Sequence, residues 1–435
     1  MSSDAAGAYE SLVIWGYPLV RFLELREKMT QAPVETDRAA ARSAAASLGR
    51  FGHQKLLSDP SYRVGVAPNV DTLYSVAWVD LADGDLVLDT PDFDDRYYAF
   101  QFGYFDTSCH TVGQRTHGGS LGPVTIRWCQ TAAESRVDTT GTGIELSCNS
   151  RFLMIAGRIM VDSASADDMS RVHALQEEIG LTRISEVYDA NPALRGGSPE
   201  ALEAGAGPGR RFFDTLSQML SDIPDRALDP GTTDLLRAAG WQPGGAIGRG
   251  AADSELDDAV ARGLAAIRRG IAAVGDVRNG WMINYRGVDF GSDWLLRASV
   301  AMAQIYINPA EEALYPVLER DAVGDALDGR HVYRLHFPHG ELPPVEFFWS
   351  LTMYHAEGFL VENAISRYAI GDRSEYLRYG SDGSLDVVIS HDQPARGQGN
   401  WLPAPPGEFR LMLRLYGPTP SVLQGQWRPP ALVRL

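Results

Sequence analysis

The apolar residues of this chain change their spacing twice, from a helical repeat to a two-residue repeat and, after a helical interval, back to two. Residues 8 to 58 carry Tyr9, Leu12, Val13, Ile14, Leu19, Phe22, Leu23 and Leu25 at helical spacing, then an Ala-rich stretch to Leu48. That pattern predicts helix, kinked or split at Pro18. From Val64 the period shortens. Segments 71–79, 96–105, 123–129 and 152–160 are rich in β-branched and aromatic residues between Gly, Pro and Asp punctuation, which predicts an antiparallel sandwich. Helices follow at Ser165-x-x-Asp168 and at Ser254-x-x-Asp257, each a capping pattern, with Gly180 placed to end the first. A third helix is expected from Asn308-Pro309, with Glu311 in its first turn. Residues 190–210, rich in Gly, Pro and Ala, read as a loop or linker. After Asp328-Gly329 the two-residue period returns at 331–337, 346–354, 384–390 and 409–416, and Ser381-Asp382-Gly383-Ser384 is a tight-turn signal.

This layout divides the chain into a helical segment (1–60), a β-sandwich (61–165), a helical middle (166–325) and a second β domain (326–435). At 435 residues and 44% apolar content, there is ample material for more than one core. Lys and Arg number 39 against 56 Asp and Glu, a net charge of −17, so a nucleic-acid backbone or an anionic membrane is not an expected partner. The amino terminus lacks a basic stretch, and the apolar run Leu12–Leu25 is broken by Tyr17, Pro18, Arg21 and Glu24. It reads as neither signal peptide nor membrane span. Cys109, Cys129 and Cys148 lack metal or redox spacing and read as reduced thiols of a cytoplasmic protein.

Two sets of residues stand out from this generic pattern. The first is Pro68-Asn69-Val70-Asp71-Thr72-Leu73-Tyr74-Ser75, then Asp80-Leu81, Pro91-Asp92, Arg96-Tyr97-Tyr98 and Gly113-Gln114-Arg115-Thr116. The second is Leu342-Pro343-Pro344-Val345 with Phe348-Trp349-Ser350-Leu351-Thr352-Met353-Tyr354, then Asn363, Arg367-Tyr368, Asp382-Gly383-Ser384-Leu385, Asn400 to Pro405 and Arg414-Leu415-Tyr416. Together they resemble a bacterial two-domain family of unknown function, whose amino-terminal half is the domain numbered twelve-fifty-four and whose carboxy-terminal half is twelve-fourteen. The resemblance spans nearly the whole chain. It implies an α+β, mainly β fold with two antiparallel domains, a sandwich followed by a jelly-roll-like module, and helices packed against them. It implies no established chemistry. The chain departs from the family in lacking a secretory signal and in a shortened loop, His117 to Pro123.

Asn69 and Asp71 lie on the approach to a strand, where short polar side chains cap turns. The functional alternative makes Asp71 a general base in a cleft, with Asn69 and Tyr74 binding substrate and His53 folded back beside Asp71 as a second catalytic group. His110 and Arg115 fall in one loop, His110 as a third acid–base candidate and Arg115 as a forked donor to an anion or carbonyl. Trp349, Tyr354, Asn363 and Trp401 are further candidates for substrate contact, with burial in a core the competing reading. His331, His336 and His339 are split between strand faces, so no metal is expected. Neither are there phosphate-loop, dinucleotide, nucleophile-elbow or H-E-x-x-H motifs. The expectation is a cofactor-independent acid–base enzyme (isomerase, lyase or cyclase, or hydrolase) for a small organic metabolite in a biosynthetic step. The alternative is a non-catalytic carbohydrate or small-ligand binder using Trp349, Tyr354 and Trp401 as stacking surfaces. Homo-oligomerisation is left open.

Overall fold

The computed structural model describes residues 3–31, 41–63, 65–130, 134–140, 143–162, 164–184, 207–223, 228–394 and 399–435. The fold is α+β, mainly β. In the first sandwich, one sheet orders the strands Phe51–His53, Thr72–Asp80, Phe152–Met160, Tyr98–Gly103 and Cys109–Gly113, all antiparallel. The facing sheet orders Gly180–Arg183, Leu86–Asp89, Val124–Trp128, Gly143–Cys148 and Arg136–Thr140, with one parallel pair between Val124–Trp128 and Gly143–Cys148. Alternation decides what fills the space between them: Leu73, Ala77, Val79, Tyr98, Phe100, Phe102, Ile155 and Ile159 point inward.

The other face of the first sheet is equally covered. Val76, Trp78, Met154 and Ala156 join a cluster with helices Ser3–Thr30, Pro208–Ser221, Pro230–Ala238 and Asp253–Gly270, in which Phe22 meets Trp78 edge to face at 5.2 Å. Helix Ser3–Thr30 runs through Pro18 without a break. It stops well short of the expected 58, and residues 51–53 add a strand to the sheet instead. The cap at Ser165 forms, its hydroxyl accepting from Asp168 N at 3.1 Å. The helix expected at Ser254 starts two residues earlier, with Ala252 at the cap, and Asp257 is engaged elsewhere, accepting from Gly209 N at 2.7 Å. Of the loop expected at 190–210, residues 190–206 lie outside the described residues, while 208–210 open a helix.

The second sandwich begins upstream of residue 326. Its larger sheet orders Asp276–Arg278, Trp281–Ile283, Val317–Leu318, Phe409–Pro418, Val345–His355 and Ala369–Gly371, with Ala313–Leu314 also paired to Phe409–Pro418. The smaller sheet orders Trp401–Pro403, Leu385–Ser390, Tyr333–Phe337 and Leu432–Arg434. No helix forms at Asn308: the segment turns and then pairs as a strand, because the Asn308 side chain is drawn to the outer face of the first sheet by Arg158 and Gln101 instead of capping its own backbone. Trp349, Leu351, Met353, Leu411, Leu413 and Leu415 fill this second core.

Phe348, Ser350, Thr352 and Tyr354, together with Arg414 and Tyr416, alternate to the opposite face. That face is pressed against the outer face of the first sheet, where Tyr97, Ala99, Phe348 and Tyr416 form a small apolar cluster, Phe348 and Tyr416 stacked at 4.3 Å. Gly371 allows the edge strand to approach here, since a Cβ on it would lie 2.2 Å from the Trp349 carbonyl oxygen. We expect Gly371→Ala to cost about 1–3 kcal/mol, seen as a lower urea midpoint. An unchanged midpoint would contradict this close approach.

Candidate functional site

The seam between the two sheets is rich in polar side chains although it is enclosed. Asn69 shapes its entrance: its Oδ1 accepts from Asp71 N (2.6 Å) and Thr72 N (3.2 Å), while Nδ2 donates to Tyr416 Oη of the other domain at 2.8 Å. The turn aims Asp71, only 4% exposed, at the second sandwich. There Ser350 Oγ donates to one carboxylate oxygen at 2.6 Å and Arg373 Nη2 to the other at 2.7 Å. Arg373 also lies 4.2 Å over the Phe348 ring and reaches the Val161 carbonyl.

Behind Asp71, Arg158 and Arg414 are enclosed from opposite sides. Arg158 donates to Asn308 Oδ1 (2.5 Å), Gln101 Oε1 (3.0 Å) and Tyr74 Oη (3.4 Å). Arg414 donates to Thr352 Oγ1 (2.7 Å), Tyr354 Oη (2.7 Å) and the Ala67 and Pro68 carbonyls. Glu312, fully buried, accepts from Arg115 Nε at 2.9 Å and from Tyr97 Oη at 2.7 Å. Burial pushes the Tyr97 hydroxyl well above its ordinary value, and Glu312 adds to this. Burial alone would raise Tyr74 as well, but the charge and hydrogen bond of Arg158 and the charge of Arg414 bring it below the usual tyrosine value.

At its edge the seam opens into a groove of about 610 Å³, walled by Leu57, Ser58, Asp59, Val70, Asp71, Val161 and Asp162 on one side and by Ser350, Arg367, Tyr368, Arg373 and Tyr376 on the other. A second hollow of about 420 Å³ adjoins it, sharing Asp59, Ser366 and Tyr368 and adding Arg63, His355 and Asn363. Between Gly371 and Arg373, Asp372 accepts from Trp349 N at 3.3 Å, and burial pushes its carboxyl up to about 6.

Of the residues singled out from the sequence, Asn69, Asp71, Tyr74, Arg115 and Tyr354 meet at the seam. The others do not join Asp71. His53 stands across the ladder from Ser75, its Nδ1 2.9 Å from Ser75 Oγ, so it does not fold back beside Asp71. The reason is local: residues 51–53 are tied as a strand to Thr72–Asp80, which carries His53 along the sheet away from the Asn69 turn. His110 lies on the sandwich side of its strand, 2.8 Å from Tyr104 Oη, and burial lowers its pKa. Arg115 is occupied by Glu312. Trp349 belongs to the second core, 2% exposed, and Trp401 pins its own loop through Nε1 to the Ser390 carbonyl at 3.0 Å. Tyr354 is buried too, its hydroxyl donating to the Pro68 carbonyl at 2.7 Å. Asn363 closes its own turn while lining the smaller hollow.

Arg158, Asn308, Glu312 and Arg373 were not anticipated, nor was a role at the seam for Arg414. The readable signal was a cation inside an otherwise apolar strand: Arg158, alone in FLMIAGRIM, and Arg414, which shares FRLMLRLYG with Arg410. Among the described residues, no group of three or more His, Cys, Asp or Glu side chains is arranged to hold a metal ion, and no helix is long and apolar enough to cross a membrane.

Family models match the chain at two places: residues 48–183 match a protein of unknown function (DUF1254), and residues 312–420 match a protein of unknown function (DUF1214). The chain belongs to this two-domain family. Among curated proteins, none matches it. The crystal structure of the VPA0106 protein from Vibrio parahaemolyticus is 18% identical, with a TM-score of 0.68, covering 99% of this chain and 100% of that one, and so shares its fold. An uncharacterized protein from Burkholderia cenocepacia, 12% identical over 99% of this chain and 98% of its own, has a TM-score of 0.43. Both family segments contribute to the seam: Asn69, Asp71, Tyr74 and Arg158 fall in the first, Ser350, Arg373 and Arg414 in the second.

His53 offers a measurable consequence. Burial, aided by Lys55, lowers it from 6.5 to about 4, so the folded chain binds that proton less readily than the unfolded chain. Stability should therefore fall as pH drops from 6.5 toward 4, and His53→Gln should flatten part of that fall in melting temperatures measured across this range. An equally steep decline in the variant would remove His53 as its source.

Proposed function

We propose that the groove at the domain seam takes a small polar organic molecule and that the chain's own side chains carry out acid–base chemistry on it, with Asp71 handling the proton. The observation that carries this reading is the setting of Asp71: a nearly buried carboxylate on the wall of a 610 Å³ groove, fixed by one hydroxyl and one guanidinium from the other domain. A carboxylate held at a defined position, with a dry protein interior behind it and a hollow in front, is what proton abstraction requires. Ser350 and Arg373 each engage a different oxygen, which leaves further lone pairs facing the hollow for a substrate proton. Arg373 would hold the Asp71 charge before transfer, and afterwards its cation would face the negative charge left on the substrate.

Isomerisation, elimination or cyclisation, and hydrolysis share this proton step, and the reaction is one of that class. His53 and His110, which lie apart from Asp71, have no part in it. The mixed lining of the groove, with carboxylates, guanidiniums and tyrosines, suits a polar metabolite with several oxygens.

One observation favours a second reading, a carbohydrate or small-ligand binder. Tyr368 and Tyr376 line the groove, and the Arg367 guanidinium lies 3.6 Å over the Tyr376 ring. Stacking would then fall to these tyrosines, since Trp349, Tyr354 and Trp401 are buried.

A thermal-shift screen with sugars, hydroxy acids, keto acids and amino acids should find a compound that stabilises the protein, and mass spectrometry should detect its conversion. Asp71→Asn should then reduce turnover about 10²-fold or more while leaving affinity within a few-fold, and His53→Ala should leave turnover unchanged. Binding without conversion would favour the second reading, and full turnover by Asp71→Asn would reject the first.

A further inference from the structure

The groove beside Asp71 continues beyond the carboxylate's reach. Residues 57–59 and 365–376 wall it, and the same two segments run on past Asp59, Ser366 and Tyr368 to enclose the smaller hollow. The two hollows are therefore halves of one cleft, and Asp71 lines only one of them. The other half, about 420 Å³, is within the size range of pockets that hold a small ligand of their own.

Four polar side chains of this second half have no internal partner. Among the described residues, the Tyr368 hydroxyl, the Ser366 hydroxyl, the His355 ring and the Glu362 carboxylate make no hydrogen bond or ion pair with the rest of the chain. Asn363, in contrast, builds the wall. Its carbonyl accepts from Ser366 N at 3.1 Å and its Oδ1 from Arg367 N at 3.0 Å, which holds Ser366 in the left-handed region at φ 49°. A serine adopts that conformation only where its surroundings impose it. The hydroxyl so placed lines both halves of the cleft.

Charge in the second half is balanced. Asp59 is tied to the Arg42 guanidinium, and Glu362 is offset by Arg63, which lies 4.5 Å over the Phe359 ring. An anion would meet Glu362 there, and a cation would meet Arg63. An apolar group would strip water from four polar side chains and give them no partner. A neutral molecule rich in hydroxyls satisfies them, since each hydroxyl both donates and accepts.

We propose that the smaller hollow is a recognition subsite for one neutral glycosyl unit, and that the molecule taken by the cleft is a two-unit glycoside whose other unit reaches Asp71. Tyr368 and Ser366 lie where the two units join. This assignment rests on the groove being a ligand site, as proposed above, but not on Asp71 acting as a base.

Calorimetry and saturation-transfer NMR on the full chain test it, with glucose, galactose, maltose, cellobiose, lactose, glucosamine and glucose 6-phosphate as probes. At least one disaccharide should bind about tenfold or more tighter than either neutral monosaccharide, through the hydrogen bonds of its added ring. Glucosamine and glucose 6-phosphate should bind no tighter than glucose. Ser366→Gly removes the hydroxyl and suits the left-handed backbone, so its unliganded melting temperature should not fall, while its disaccharide affinity drops several-fold. Glu362→Gln, at an exposed position, should weaken the same binding. The subsite is rejected if no disaccharide binds at millimolar concentration, if one ring binds as well as two, if the charged sugars bind tightest, or if both variants bind like the wild type. Disaccharide binding without conversion, or full turnover by Asp71→Asn, would reject the acid–base reading and leave the subsite standing. Conversion of a single-ring compound with no gain from a second ring would do the reverse.

Discussion

Two sheets meet face to face across the seam, and every polar atom caught between them must find its partner inside the protein. Most sandwiches leave one face of each sheet to water. Here the outer face of the first sheet is covered along its length, by helices over Val76, Trp78 and Met154 and by the second sandwich over Tyr74, Arg158 and Tyr97. The result is a polar layer between two apolar cores. Within it, Asn69–Tyr416, Asp71–Ser350, Asp71–Arg373, Arg414–Pro68 and Arg115–Glu312 all cross from residues of the first family segment to residues of the second. Directional bonds of this kind fix the orientation of two modules in a way that apolar contact alone does not.

The same layer gives the groove its character. Asp71 sits where enclosed seam becomes open hollow, so its carboxylate has fixed dipoles on one side and room for a ligand on the other. Low polarisability behind the groove strengthens each charge interaction within it. Under the proposed function, the cations on the inner side would stabilise charge and the carboxylates along the rim would transfer the proton.

Much of the fold was legible because alternation is a strong signal. The strands at 72–80, 152–160, 345–355 and 409–418 fall close to the segments picked out by period two, and the Ser165 cap forms as its residues suggest. The Asn69–Asp71 turn was visible both as a cap, which forms, and as a candidate site, and its residues lie at the seam. What could not be read was the second burial. Arg158 and Arg414 stand at positions that alternation assigns to an outer face, and an outer face is ordinarily wet, so alternation did not mark them as enclosed. Asn308-Pro309 carries good local helix signals, yet a buried guanidinium outcompetes a capping bond for the Asn308 oxygen. Trp349 and Trp401 looked suited to ligand contact because side-chain type alone does not tell which side of a pleat it occupies.

The apolar face of helix Ser3–Thr30 packs against helices 208–221, 230–238 and 253–270, which follow it only after an entire sandwich has been synthesised. Until then Leu12, Val13, Leu19 and Phe22 have only part of their final surroundings. Translation order and packing order are thus opposed at this end of the molecule. The nascent chain must keep an oily helix from self-association until those later helices have been made.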